Sequence, residues 1–137
     1  MGAAHIIRCD TEQNVYHKVS TILLGRVMEK PDLVVSVFAG TPAFGLYKVL
    51  AERASAEKVD FSRVRFVVLD ELVTSDGTAP FHESLKSMLF GPLGVPDANT
   101  VWFDPAANHS AEVARIASHV GLLGIDVCLL SVDSRGH

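Results

Sequence analysis

Leu33-Val34-Val35-Ser36-Val37-Phe38-Ala39-Gly40-Thr41-Pro42 decides the fold of this chain. Its first six residues are mostly apolar and rich in β-branched side chains, as in a strand buried on both faces of a parallel sheet. Its last four form a small-residue turn that opens a helix. A second run, Val64-Arg65-Phe66-Val67-Val68-Leu69, ends instead in two carboxylates, Asp70-Glu71. In an open parallel sheet, ligands sit outside the carboxyl ends of the strands. The two ends are therefore expected to face one crevice, an anion cradle beside a proton-transfer pair.

Working outward, His5-Ile6-Ile7-Arg8 reads as a short first strand. Asp10 or Thr11 can cap the helix that follows, with Val15, Val19, Ile22, Leu23 and Val27 on one face. Lys30-Pro31-Asp32 ends it. After Pro42 a helix over residues 43–56 turns Phe44, Tyr47, Leu50 and Ala51 inward. Residues 74–80, Thr-Ser-Asp-Gly-Thr-Ala-Pro, are a loop by composition. A helix over 81–90 stops at Gly91-Pro92. A short strand over 100–103 follows, then a helix begun by Ser110 and Glu112. Val113, Ile116, Ala117 and Val120 line its buried side, and Gly124 ends it. A last strand covers 125–130, and 131–137 trail as a loop. Strictly alternating strands and helices predict an α/β fold of three layers, a mostly parallel sheet with helices on both faces, Rossmann-like. Residues 1–137 read as one domain.

Composition narrows the function. Apolar residues make up 48% of the 137, charged residues 20%, and the formal net charge is −4. Scattered lysines and arginines argue against bulk binding to nucleic acid or an anionic membrane. A small phosphorylated ligand needs only local donors. Cys9 and Cys128 show no metal or disulfide spacing, which suits a reducing cytoplasm. No apolar run is long enough to cross a bilayer. His5, His17, His82, His109 and His119 lack metal-ligand spacing and read as surface or loop residues; Trp102 and Phe103 read as core.

Three places can carry chemistry. Small residues at Ala39, Gly40 and Thr41 let backbone N–H groups approach a phosphate, with the helix dipole behind them. Thr41 can also cap the helix, and Pro42 suits its first turn. An ordinary strand-to-helix turn uses the same residues. Asp70 and Glu71, adjacent on an extended chain, point to opposite sides. One can face the crevice and move a proton while the other bonds elsewhere. A solvated strand end reads the same way. His137, after Arg135-Gly136 in the loop behind the last strand, can act as acid or base near neutral pH. Read from residues alone, a histidine at that place is a mobile terminus.

Taken together, these pieces resemble the glucosamine-6-phosphate deaminase and 6-phosphogluconolactonase family. The likeness runs from His5 to His137. It is carried by residues 32–42 with Tyr47-Lys48, and by Val59-Asp60-Phe61-Ser62 leading to Asp70-Glu71. Ser84, Leu89-Phe90, Val95-Pro96 and Asn99 continue it, as do Ile125-Asp126 through Leu130 and then Gly136-His137. The resemblance implies a sugar phosphate held on Ala39, Gly40 and Thr41, with Asp70, Glu71 and His137 as catalytic residues. In the deaminase branch the residue matching His137 helps open the sugar ring, and the one matching Asp70 moves a proton between carbons 2 and 1, with ammonia released. In the lactonase branch the histidine activates water against a lactone carbonyl. The resemblance implies no metal or organic cofactor for the deaminase chemistry, and none is expected here.

The family's glycine-rich run ends Asp-Gly-His, so Arg135 stands where the pattern has an acid. Leu72 stands where deaminases carry Tyr and lactonases Arg. The family domain also continues past the histidine, so this chain is expected to lack its C-terminal part. An impaired sugar-phosphate-binding paralogue or sensor is the non-enzyme alternative. An unfinished sheet leaves an edge that favours pairing in a homo-oligomer.

Overall fold

Val34, Val35, Ser36 and Val37 are all buried, as a strand covered on both faces requires. They form β1 (Val34–Val37) at the centre of a sheet in a computed structural model that describes residues 2–137. Around it run α1 (Glu12–Glu29), α2 (Thr41–Glu57), β2 (Arg65–Val68), α3 (Pro80–Leu85), β3 (Thr100–Val101), α4 (His109–Leu123) and β4 (Val127–Cys128). The sheet order is β3-β2-β1-β4, and every pairing is parallel. The predicted α/β three-layer architecture is the observed one. A π-helical turn, Lys86–Phe90, continues α3, closed by the Gly91 N–H donating to the Lys86 carbonyl at 2.9 Å.

Alternation along the strands sorts the two faces. Val35, Val37, Phe66 and Val68 point to the large core with α1, α2 and the π-turn. There Phe66 lies 5.2 Å from Phe90 between ring centroids, and Tyr47 and Leu50 are fully enclosed. Each such side chain contributes about 1.5–3 kcal/mol by leaving water. Val34, Val67 and Val101 point the other way, against Ile116, Val120 and Leu123 of α4. That face has a single helix over it among the described residues.

Several expectations need correcting. Residues 5–8 form no strand: Ile6 and Ile7 are exposed, and none of the four sheet strands pairs with them. A strand without a partner leaves its backbone to water and has no reason to persist. In α1 the buried face is Ser20, Leu23, Leu24 and Val27, while Val15 and Ile22 stay exposed. In α4, Val113 is exposed, and Asn108 rather than Ser110 is the cap, accepting from the Ala111 N–H at 3.0 Å. Thr11 does cap α1, accepting from the Asn14 N–H at 3.1 Å. His82 is buried rather than on the surface: its ring stacks on Trp102 with centroids 4.0 Å apart.

Candidate active site

The chain goes from β1 to β2 to β3 on one side, then returns to place β4 on the other side of β1. The strand order therefore reverses at β1, and a gap opens beyond the carboxyl ends of β1 and β4. Backbone bonds carry both neighbours just past the strand ends: Leu69 N–H to the Val37 carbonyl at 2.8 Å, and Leu129 N–H to the Ser36 carbonyl at 3.0 Å. The result is an open crevice of about 290 Å³ lined by Phe38, Ala39, Leu69, Asp70, Leu130 and Ser131. One expected anion-cradle residue and one expected acid thus share a wall.

Beneath it, the Tyr47 hydroxyl donates to the Phe38 carbonyl at 2.6 Å and pins the end of β1. Burial raises that hydroxyl well above its usual value, and the nearby Asp70 charge adds to the effect.

Gly40 adopts φ 143°, ψ 161°, a backbone that only glycine takes without strain. It is the N-cap of α2, and no side chain caps that start; Thr41 is the first helical residue and not the cap. Pro42 falls in the first turn as expected. The opening amides of α2 and its dipole thus remain available to an anion in the way such starts bind phosphate.

Asp70 and Glu71 separate as alternation requires. Asp70 faces the crevice and remains solvent-accessible. Partial burial raises its carboxyl above the ordinary aspartate value, and the neighbouring Glu71 charge raises it further. Glu71 turns to α3. One of its oxygens accepts from the N–H groups of Leu72 and Phe81 at 2.9 Å each, and the other from His82 N–H at 2.8 Å. Ala79, the N-cap of α3, has no side chain for this work, so Glu71 supplies the cap from eight residues upstream.

His137 lies on the loop that leaves the crevice wall at Ser131. Its ring is exposed, and its side-chain partner is Asp133, with Nδ1 3.3 Å from Oδ2. The structure does not bring His137 against Ala39 or Asp70. Tyr47 beneath the crevice and Asp133 beside His137 are the residues that sequence reasoning missed. Tyr47 was legible as core but not as a hydroxyl aimed at Phe38. Among the described residues no cluster of His, Cys, Asp and Glu could hold a metal ion, and no helix is long and apolar enough to cross a membrane.

No family profile matches the chain. Relatives do. The glucosamine-6-phosphate deaminase of Geobacillus sp. (strain WCH70) is 29% identical over 139 residues, covering 96% of this chain and 54% of the relative. That of Lachnoclostridium phytofermentans is 30% identical over 139 residues, covering 96% and 58%. Among solved structures, a monomeric glucosamine-6-phosphate deaminase aligns with TM-score 0.85 at 25% identity, over 96% of this chain and 56% of that one. A 6-phosphogluconolactonase from Thermotoga maritima shares the fold, with TM-score 0.76 at 19% identity over 97% of this chain and 61% of that one. The chain spans about half the length of the curated relatives it matches. In sequence and in fold, it resembles the glucosamine-6-phosphate deaminase and 6-phosphogluconolactonase family, as its motifs imply.

Proposed function

We propose that this chain carries the phosphate cradle and the proton-transfer acid of a sugar-phosphate enzyme of the deaminase type. The observation that supports it most is the shared crevice: Ala39 at the end of β1 and Asp70 past β2 line one opening at the point where the strand order reverses. A phosphate would rest on the backbone of Ala39, Gly40 and Thr41, at the uncapped start of α2. This fixes the far end of the sugar and leaves its reacting carbons near Asp70.

Asp70 is suited to move a proton between carbons 2 and 1. A carboxyl with a raised pKa is a stronger base once ionised, and its pKa lies closer to the pH at which it would work. Glu71 serves here as a positioning residue: it fixes the strand end and lends negative charge to Asp70. His137 would serve ring opening, moving a proton on and off the ring oxygen. The expected partner is a small phosphorylated sugar, and the free thiols of Cys9 and Cys128 suit a reducing compartment.

The test is ammonia release from glucosamine 6-phosphate. Asp70→Asn keeps the shape and removes the base, and the rate is expected to fall by about 10²-fold or more. An Asp70→Asn protein as active as the parent refutes the role. The shared fold with a lactonase supports a second reading, hydrolysis of 6-phosphogluconolactone, seen as acid release without ammonia. The exposed His137 ring, which is not among the residues lining the crevice, supports a third, a sugar-phosphate sensor, seen as saturable binding without turnover.

A further inference from the structure

We propose that His82 is a proton-operated latch on the start of α3: its neutral ring, stacked on Trp102, holds the helix against the end of β3, and protonation of the ring releases the helix start and, with it, Glu71. The latch stands apart from the sugar-phosphate reading above; only its effect on turnover rests on that reading.

Little else fixes this helix. α3 is six residues long, Ala79 gives it no side-chain cap, and its buried side chains are His82 and Leu85. The His82 ring lies flat on Trp102, 6° from parallel with centroids 4.0 Å apart, and it tilts against Phe90 at 6.4 Å. The backbone of the same residue holds Glu71: His82 N–H donates to Oε2 at 2.8 Å, beside the Phe81 N–H to Oε1 at 2.9 Å. Glu71 in turn raises the neighbouring Asp70 carboxyl. One side chain thus ties the π-helical turn and the end of β3 to the acids past β2.

The place suits a neutral ring and not a charged one. Nδ1 is buried and has no hydrogen-bond partner among the described residues. A proton there would make it a charged donor with no acceptor, which costs more than a bare lone pair. The face of Trp102 would favour a cation. Burial opposes it more strongly and holds the ring below the usual histidine value. The charged groups around the ring are Glu83 and Lys86 on the helix and its π-turn, Glu71 after β2, and Asp97 before β3. The three carboxylates favour the imidazolium and Lys86 opposes it. Out of the stack, the ring takes its proton at about pH 6.5; in the stack it does so only at lower pH. Above that value the latch is closed. As pH falls below it, the open form binds a proton that the closed form does not, and the balance moves towards opening.

Trp102 is the chain's single tryptophan, so its emission reports on this stack. Titrating the 137-residue chain from about pH 8 to about pH 5 is expected to shift that emission to the red in a one-proton step with its midpoint below about 6.5. Amide exchange at Phe81 and His82, corrected for the intrinsic effect of pH, should quicken by about tenfold for each unit by which stacking lowers the midpoint, while that in β1 and β2 does not. His82→Phe keeps an aromatic ring over Trp102 and cannot take a proton: the step is lost and exchange stays slow in acid. His82→Gln takes no proton and stacks poorly: the step is lost and exchange is fast at both ends of the range. A parent with no step overturns the latch, as does a step that survives in either variant. So does a parent whose emission changes while the Phe81 and His82 amides stay slow, since the charged ring then remains stacked. If the chain turns over glucosamine 6-phosphate, its rate should fall more steeply in acid than that of His82→Phe; an equal fall overturns the link to turnover. A step in a chain without turnover supports the latch and removes only the enzyme reading.

Discussion

Two adjacent carboxylates take different tasks because an extended chain turns consecutive side chains to opposite sides. Asp70 reaches the crevice; Glu71 reaches the first turn of α3. This division was legible at Asp70-Glu71, but which acid faced which way was not, since the choice depends on where α3 begins. Removing Glu71 should therefore be felt in two places. Glu71→Ala leaves the amides of Phe81 and His82 without a partner, and a loss of about 1–2 kcal/mol is expected by thermal unfolding. Hydrogen exchange should quicken at those two amides. Glu71→Gln also removes the charge that helps hold the Asp70 carboxyl up. Its pKa then falls, more of it is ionised at a given pH, and the acid limb of activity moves to lower pH. A limb that stays put would separate Glu71 from Asp70. Asp133 shows the opposite case. Arg135 in the expected acid position suggests a lost partner for His137, yet a carboxylate two residues earlier bends back to the ring. Only a closed loop with a left-handed Gly136 shows that, and spacing alone does not.

Elements with many neighbours were read well, and those with few were not. The β1 and β2 runs, buried on both faces, differ from expectation only at their ends. The α1 face was misplaced: Tyr16, which the expected face left out, packs on the core beside α2, and Ser20 and Leu24 are buried there. There Gly45 makes room for the tyrosine: a Cβ at Gly45 would collide with the Tyr16 ring. Alanine in a helix interior ordinarily gains about 0.5–1 kcal/mol over glycine. At Gly45 that gain is set against overpacking, which costs about 1–3 kcal/mol where the neighbour cannot move aside. Gly45→Ala is expected to lower stability in the parent and to raise it once Tyr16→Ala has emptied the space. A double-mutant cycle in denaturant should give a coupling of about 0.5–3 kcal/mol. Additive effects would mean that the ring swings away freely and that α1 and α2 do not meet through this contact.

Across the whole molecule, the crevice exists only because β4 returns to the open side of β1 and brings Leu130 and Ser131 to its wall. The alternation of strands and helices made the parallel sheet legible; the order of strands was not, because nothing local records which edge a strand joins. What holds β4 is brief. It pairs with β1 at two positions, Val35 with Val127 and Ser36 with Cys128. Just before it, Asp126 accepts from the Val34 N–H at 2.8 Å and from the Lys30 ammonium at 2.7 and 2.8 Å, tying the entry of β4 to the entry of β1. These bonds hold the Asp126 carboxyl below its usual value, with Lys30 the largest influence. Asp126 sits at the opposite end of β4 from the crevice, so it cannot touch a ligand there. Its replacement by alanine should nevertheless weaken sugar-phosphate binding several-fold, because the wall at Leu130 and Ser131 loses its anchor, while amide exchange in β4 quickens and that in β2 does not. Asp126→Asn keeps an acceptor for Val34 N–H and should retain most of the affinity. Added salt should quicken amide exchange in β4 of the parent towards that of the Asn variant, since it screens the Lys30 ion pair. If Asp126→Ala binds as the parent does, the return of β4 is not what builds the crevice, and the phosphate would have to be held by β1 and β2 without it.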